Sequence, residues 1–103
     1  MIHAQENRKN ARFTCGAQAT IEGPRGLVRG QCRDISVGGF FFVGGALPIG
    51  RTFEAKLYLP NGTVAATGEV RYHHHYPEGP GMGLKFTRVS GEDLGRITQF
   101  IGG

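Results

Sequence analysis

Two short stretches carry side chains suited to a flat, anionic ligand. In "ENRKNARF", Arg8 and Arg12 stand four residues apart, with Lys9 between them. A guanidinium is planar, permanently charged and forked, so it pairs bidentately with a phosphate or a guanine edge. It also stacks on aromatic rings. Further on, "CRDISVGGF" supplies Asp34, Ser36, Gly38 and Gly39. Asp34 only accepts, which suits the N–H groups of a guanine Watson–Crick edge, while Ser36 both donates and accepts. Two apart on a strand, Asp34 and Ser36 share a face. The two glycines admit positive φ and let a ligand approach the backbone closely.

These residues need elements to hold them. Residues 1–11 are polar and aperiodic, and read as a flexible arm carrying the first arginine. From Arg12 the chain alternates, with Phe13, Cys15, Ala17, Ala19 and Ile21 on one face, the pattern of a half-buried strand. "EGPRG" is a turn, "LVRGQCRDIS" a less regular strand that breaks at Gly38-Gly39, and "FFFV" a short apolar strand. "GGALPIG" reads as a loop. "TFEAKLYL" alternates again, and Pro60-Asn61-Gly62 makes a hairpin turn into the long strand "TVAATGEVRYHHHY". After "PEGPG", the chain returns with Met82, Leu84 and Phe86 inward. Ser90 and Asp93 then have the spacing of a capping box, and Leu94, Ile97 and Ile101 that of a helix. Short strands with frequent turns indicate a sandwich or barrel. The expected fold is all-β, an antiparallel barrel over residues 12–103 plugged by one short C-terminal helix.

The totals agree. At 103 residues there is room for one core. Glycine, at 18 residues without a three-residue period, suits many tight turns and excludes collagen. A net charge of +4 favours an anionic partner. Cys15 and Cys32 read as buried free thiols ahead of a disulfide or redox pair. The N-terminus lacks the apolar segment of a signal peptide, and no window reaches the ~18 apolar residues of a membrane span, so a cytoplasmic protein without membrane insertion is expected.

Other candidates carry less. His73 and His75 share a strand face and His74 takes the other, so the three do not converge on one metal ion; no metal is expected. The glycines of 38–45 lack the Gly-Lys-Ser/Thr of a P-loop. No catalytic set stands out, so no enzyme activity is expected. Phe40, Phe41 and Phe42 could stack single-stranded nucleic acid, but alternation sets Phe41 apart from its neighbours. Core on one face, and a partner or helix contact on the other, is the favoured reading; Tyr72 and Tyr76 are read alike.

Taken together, Arg8-x-x-x-Arg12, Asp34-x-Ser36-x-x-Gly39 and the later "GMGLKF" (Gly81 to Phe86) resemble the PilZ domain family, bacterial receptors for cyclic di-GMP. The resemblance runs from about Glu6 to the end. It implies a six-stranded antiparallel β-barrel of split-barrel type with a C-terminal helix. It further implies that Arg8 and Arg12 grip phosphates and guanine faces, that Asp34 bonds a guanine edge, and that Ser36 and Gly39 shape the pocket. Lys9 and Gly38 belong to the same ligand-binding set by adjacency. A receptor of this kind would close its N-terminal arm on the ligand and pass that state to a downstream protein effector. No cofactor is expected beyond the ligand. The alternative is a basic barrel that binds RNA or single-stranded DNA.

Overall fold

The computed structural model describes residues 12–102. The chain forms β1 (Phe13–Thr14), β2 (Gln18–Gly23), β3 (Gly26–Ser36), β4 (Gly39–Val43), β5 (Thr52–Leu59), β6 (Gly62–Tyr76), β7 (Gly79–Val89) and α1 (Gly91–Gly102). All strand pairings are antiparallel, in the order β1-β3-β2-β5-β6-β7-β4. A further β3–β4 pairing closes the sheet, so β2–β7 form the expected six-stranded barrel. The arm assigned to residues 1–11, with Arg8 and Lys9, lies outside the described residues.

Strict alternation gives the regular strands. In β5, Phe53, Ala55, Leu57 and Leu59 are buried and their neighbours exposed. Inward residues of every strand from β2 to β7 meet in one core, which includes Ile21, Cys32, Ile35, Phe40, Phe42, Leu57, Val64, Val70 and Met82. Closure removes unpaired sheet edges from these six strands.

The first strand departs from expectation. The alternation from Arg12 to Glu22 predicts one continuous strand, but pairing stops after Thr14 and resumes at Gln18. Gly16, at φ 78°, turns the backbone there, in a conformation that costs glycine little. Phe13 consequently stays 40% exposed and does not join the core. β1 docks on β3 at Phe13↔Ile35 and Thr14↔Asp34.

Two bulges decide which residues face outward. In β3, Cys32 pairs with Phe42 and Asp34 with Phe41, leaving Arg33 as the extra residue. Cys32 and Ile35 both point into the core, so Arg33 and Asp34 both face out. In β6, Val70 pairs with Leu84 and Tyr72 with Gly83, leaving Arg71 extra. The register then places Asp34, Phe41, Gly83 and Tyr72 in one row across β3, β4, β7 and β6.

The helix closes the barrel through Ile97, which is fully buried. Ser90 Oγ accepts a hydrogen bond from Asp93 N at 3.1 Å, as capping requires. The Asp93 carboxylate does not complete a capping box. It accepts from Ala65 N (3.1 Å) and Arg96 Nη1 (2.8 Å), which ties the helix to β6. Leu94, expected on the packed face, is exposed.

Candidate ligand-binding site

Arg12 precedes β1 and Asp34 sits on the paired stretch of β3, so the sheet itself brings them together. Arg12 Nη1 donates to Asp34 Oδ1 at 2.6 Å, and Nη2 donates to the Tyr72 hydroxyl at 3.3 Å. Partial burial pulls the Arg12 pKa down, but the Asp34 carboxylate and the Tyr72 hydroxyl outweigh it, and the net shift is upward. Both partners remain about a third exposed. The pair is therefore worth nearer the ~1 kcal/mol of a surface bridge than the figure for a buried one. Its main effect is to aim the guanidinium.

Tyr72 starts three strands away from Asp34, yet reaches Arg12. It does so by lying across β7 over Gly83, where a Cβ would collide with its ring. Gly81 plays the same part for the Phe41 ring, which a Cβ there would meet at 2.7 Å. This accounts for the alternating glycines of "GMGLKF": Met82 faces the core while Gly81 and Gly83 clear the outer face. Phe41 is only 2% exposed although it points away from Phe40 and Phe42. Tyr72, His74 and Tyr76 cover it, with ring centroids at 5.7, 6.1 and 5.0 Å. The reading of Phe41 as apart from its neighbours holds, and what covers it is an outer aromatic layer.

Arg33 extends this layer. Its guanidinium carbon lies 4.0 Å from the centre of the Tyr76 ring, and Nη1 donates to Glu78 Oε2 at 2.7 Å. Glu78 is held below the usual carboxylate range, first by its own backbone N–H and then by Arg33. The outer face thus presents two arginines, each paired with an acid, and a set of rings within a few strands. Such a surface can stack a planar base, meet its edge and bind a phosphate.

Ser36, at 6% exposure, is committed to the β3–β4 turn. Its Oγ accepts from Gly38 N at 3.1 Å and donates to the Gly39 carbonyl at 3.3 Å. Neither Gly38 nor Gly39 has positive φ. A Cβ on Gly39 would strike the Leu84 carbonyl, so this glycine lets β4 approach β7. A groove of about 530 Å³ crosses the outer face of β2, β5 and β6 and is lined by Glu22, Glu54, Lys56, Tyr58, Arg88 and Asp93, among others. It contains none of the ligand-binding residues expected from sequence. We give the Arg12–Asp34 face more weight, because it concentrates planar donors, an acceptor and rings. Among the described residues, no cluster of three or more histidine, cysteine or acidic side chains could hold a metal. His73 instead bonds the Leu47 carbonyl through Nε2 at 2.7 Å.

A sequence profile of the PilZ domain matches residues 6–103. The chain belongs to the PilZ domain family. Solved PilZ structures share its fold. The PilZ domain of YcgR from Escherichia coli, solved with c-di-GMP, superposes with a TM-score of 0.80 at 14% identity, covering 93% of this chain and 89% of that one. The Bacillus subtilis inhibitor of motility MotI/DgrA gives 0.80 at 20% identity, covering 92% of this chain and 49% of that one. The MrkH–c-di-GMP complex of K. pneumonia gives 0.73 at 18%, covering 90% and 50%. This chain thus spans about half the length of MotI and MrkH. No curated protein sequence matched it. Against this PilZ frame, sequence reasoning missed Tyr72 as a partner of Arg12, and Arg33 with Tyr76 as a stacked pair. The uneven alternation of "LVRGQCRDIS" was the one available sign of the bulge that turns Arg33 outward.

Proposed function

We propose that this chain is a cyclic di-GMP receptor that acts without enzyme activity as a cytoplasmic adaptor, passing its ligand state to a protein effector. The observation that carries the reading is Arg12 held between Asp34 and Tyr72 on a PilZ barrel. Two of the five guanidinium N–H donors are used by those partners, which leaves three for a phosphate or a guanine edge. Asp34 Oδ1 is taken by Arg12, so Oδ2 is the oxygen for a guanine N–H. Arg8 and Lys9 supply further positive charge from the N-terminal arm, which orders over the ligand. Ser36, Gly38 and Gly39 set the turn beside the acid. The YcgR PilZ domain, solved with c-di-GMP on the same fold, supports the ligand class. The RNA or single-stranded DNA alternative has no such observation behind it.

Calorimetry with cyclic di-GMP tests the reading. Wild type is expected to bind, and Arg12→Ala to bind about 5- to 150-fold more weakly, because a bidentate arginine–guanine contact is worth about 1–3 kcal/mol. Absence of binding by wild type sinks the proposal. An oligonucleotide that binds in its place, with affinity collapsing as salt rises, would transfer the function to nucleic acid.

A further inference from the structure

Cys15 and Cys32 take no part in the ligand face, yet the fold sets them against each other. The break between β1 and β2 is bound to β3 by three backbone hydrogen bonds. Cys15 N donates to the Arg33 carbonyl (3.0 Å), Gly16 N to the Cys32 carbonyl (2.8 Å), and Cys32 N to the Ala17 carbonyl (2.8 Å). The two cysteines are therefore diagonal neighbours across one antiparallel seam. Both side chains point inward: Cys32 belongs to the core, and Cys15 packs against that core while staying partly accessible. The Cys32 thiol donates to the Asp34 carbonyl at 3.4 Å. Both thiols are free.

We propose that Cys15 and Cys32 are a thiol-modification site, in which Cys15 is the attacking thiol and Cys32 the resolving thiol, oxidised to a reversible disulfide by a low-molecular-weight disulfide. Cys15 thiolate attacks one sulfur of the reagent, forming a mixed disulfide and expelling one thiolate. Cys32 then gives up its proton and attacks the Cys15 sulfur, forming the Cys15–Cys32 bond and expelling the second thiolate. Two protein thiols are oxidised and one reagent disulfide becomes two thiols, so electrons and protons balance. The asymmetry of the pair fits these roles. The neighbouring Cys32 thiol lowers the Cys15 pKa to about 7, close to the optimum for an attacking thiol near neutral pH. The Cys15 neighbour and burial push Cys32 up, and Cys32 is fully enclosed while Cys15 is partly accessible, so the reagent meets Cys15 first. The bond would fasten the segment that follows Arg12 to β3 two residues ahead of Asp34, and it would form whether or not the chain binds cyclic di-GMP.

The test incubates the full chain with glutathione and glutathione disulfide at graded ratios, caps residual thiols with N-ethylmaleimide, and maps tryptic peptides without reduction. The expected product links the peptide holding Cys15 (residues 13–25) to that holding Cys32 (residues 30–33). Cys32→Ser should accumulate a glutathione adduct on Cys15, and Cys15→Ser should leave Cys32 unmodified. The wild-type map decides by itself if a variant folds poorly. A persistent adduct on wild-type Cys15, disulfide-linked dimers, or intact thiols under ratios that oxidise the denatured chain would each overturn the proposal.

Discussion

At the residue scale, the proposed ligand face depends on how one guanidinium is aimed. Arg12 has two partners, and they differ in kind. Asp34 supplies charge and Tyr72 a neutral oxygen. Tyr72→Phe keeps the ring over Gly83 and removes only the hydroxyl, so Arg12 loses one of two anchors. Hydrogen bonds to charged groups are worth about 1.5–3 kcal/mol when buried, and this one is partly exposed. Cyclic di-GMP affinity is therefore expected to fall about threefold to tenfold, less than for Arg12→Ala, by calorimetry under identical salt. An unchanged affinity would show that the hydroxyl does not position the arginine for the ligand. Arg12 and Asp34 could be chosen from sequence because their chemistry is visible in their types. Tyr72 could not, because its role depends on a strand three pairings away and on the missing side chain of Gly83.

At the element scale, two bulges and two glycines arrange the outer face. Each bulge sets an arginine beside a residue of the Arg12 cluster on the same face, Arg33 with Asp34 and Arg71 with Tyr72. A regular strand would send one of each pair inward. Period-2 reading recovered the regular strands β5 and β6 as far as Val70, since each buries every second residue. It did not find the bulges, which shift phase by one residue without changing composition, or the gap at Gly16. Gly83→Ala is expected to lift the Tyr72 ring and weaken cyclic di-GMP several-fold. The double variant with Tyr72→Ala should then bind no worse than Tyr72→Ala alone, because both changes act through one ring. Additive losses in titration would separate the glycine from the tyrosine. The N-terminal arm is a second element with its own test. Limited proteolysis within residues 1–11 should slow when cyclic di-GMP is added, and equal cleavage in both states rules out closure of the arm.

At the scale of the whole molecule, the barrel is a platform whose stability is separable from its outer face. Ile97 is fully buried in the core, and the Asp93 and Asn61 hydrogen bonds hold the helix to the β5–β6 hairpin. Ile97→Ala should cost about 2–5 kcal/mol in urea unfolding. Cyclic di-GMP affinity at low temperature, where the chain stays folded, should barely change; loss of binding there would tie the helix to the site. The barrel and its plug were readable from alternation and helical spacing, since core residues outnumber exceptions. The same division marks Arg33 as a detachable insertion. Its excision leaves Cys32, Asp34 and Ile35 in ordinary succession, with the acid still outward and both flanking residues still in the core. The six barrel strands would keep their alternation, while Tyr76 and Glu78 would lose their cation and the Cys15 N–H the Arg33 carbonyl, so that extra residue ties the outer layer and the leading segment to a barrel that closes without it.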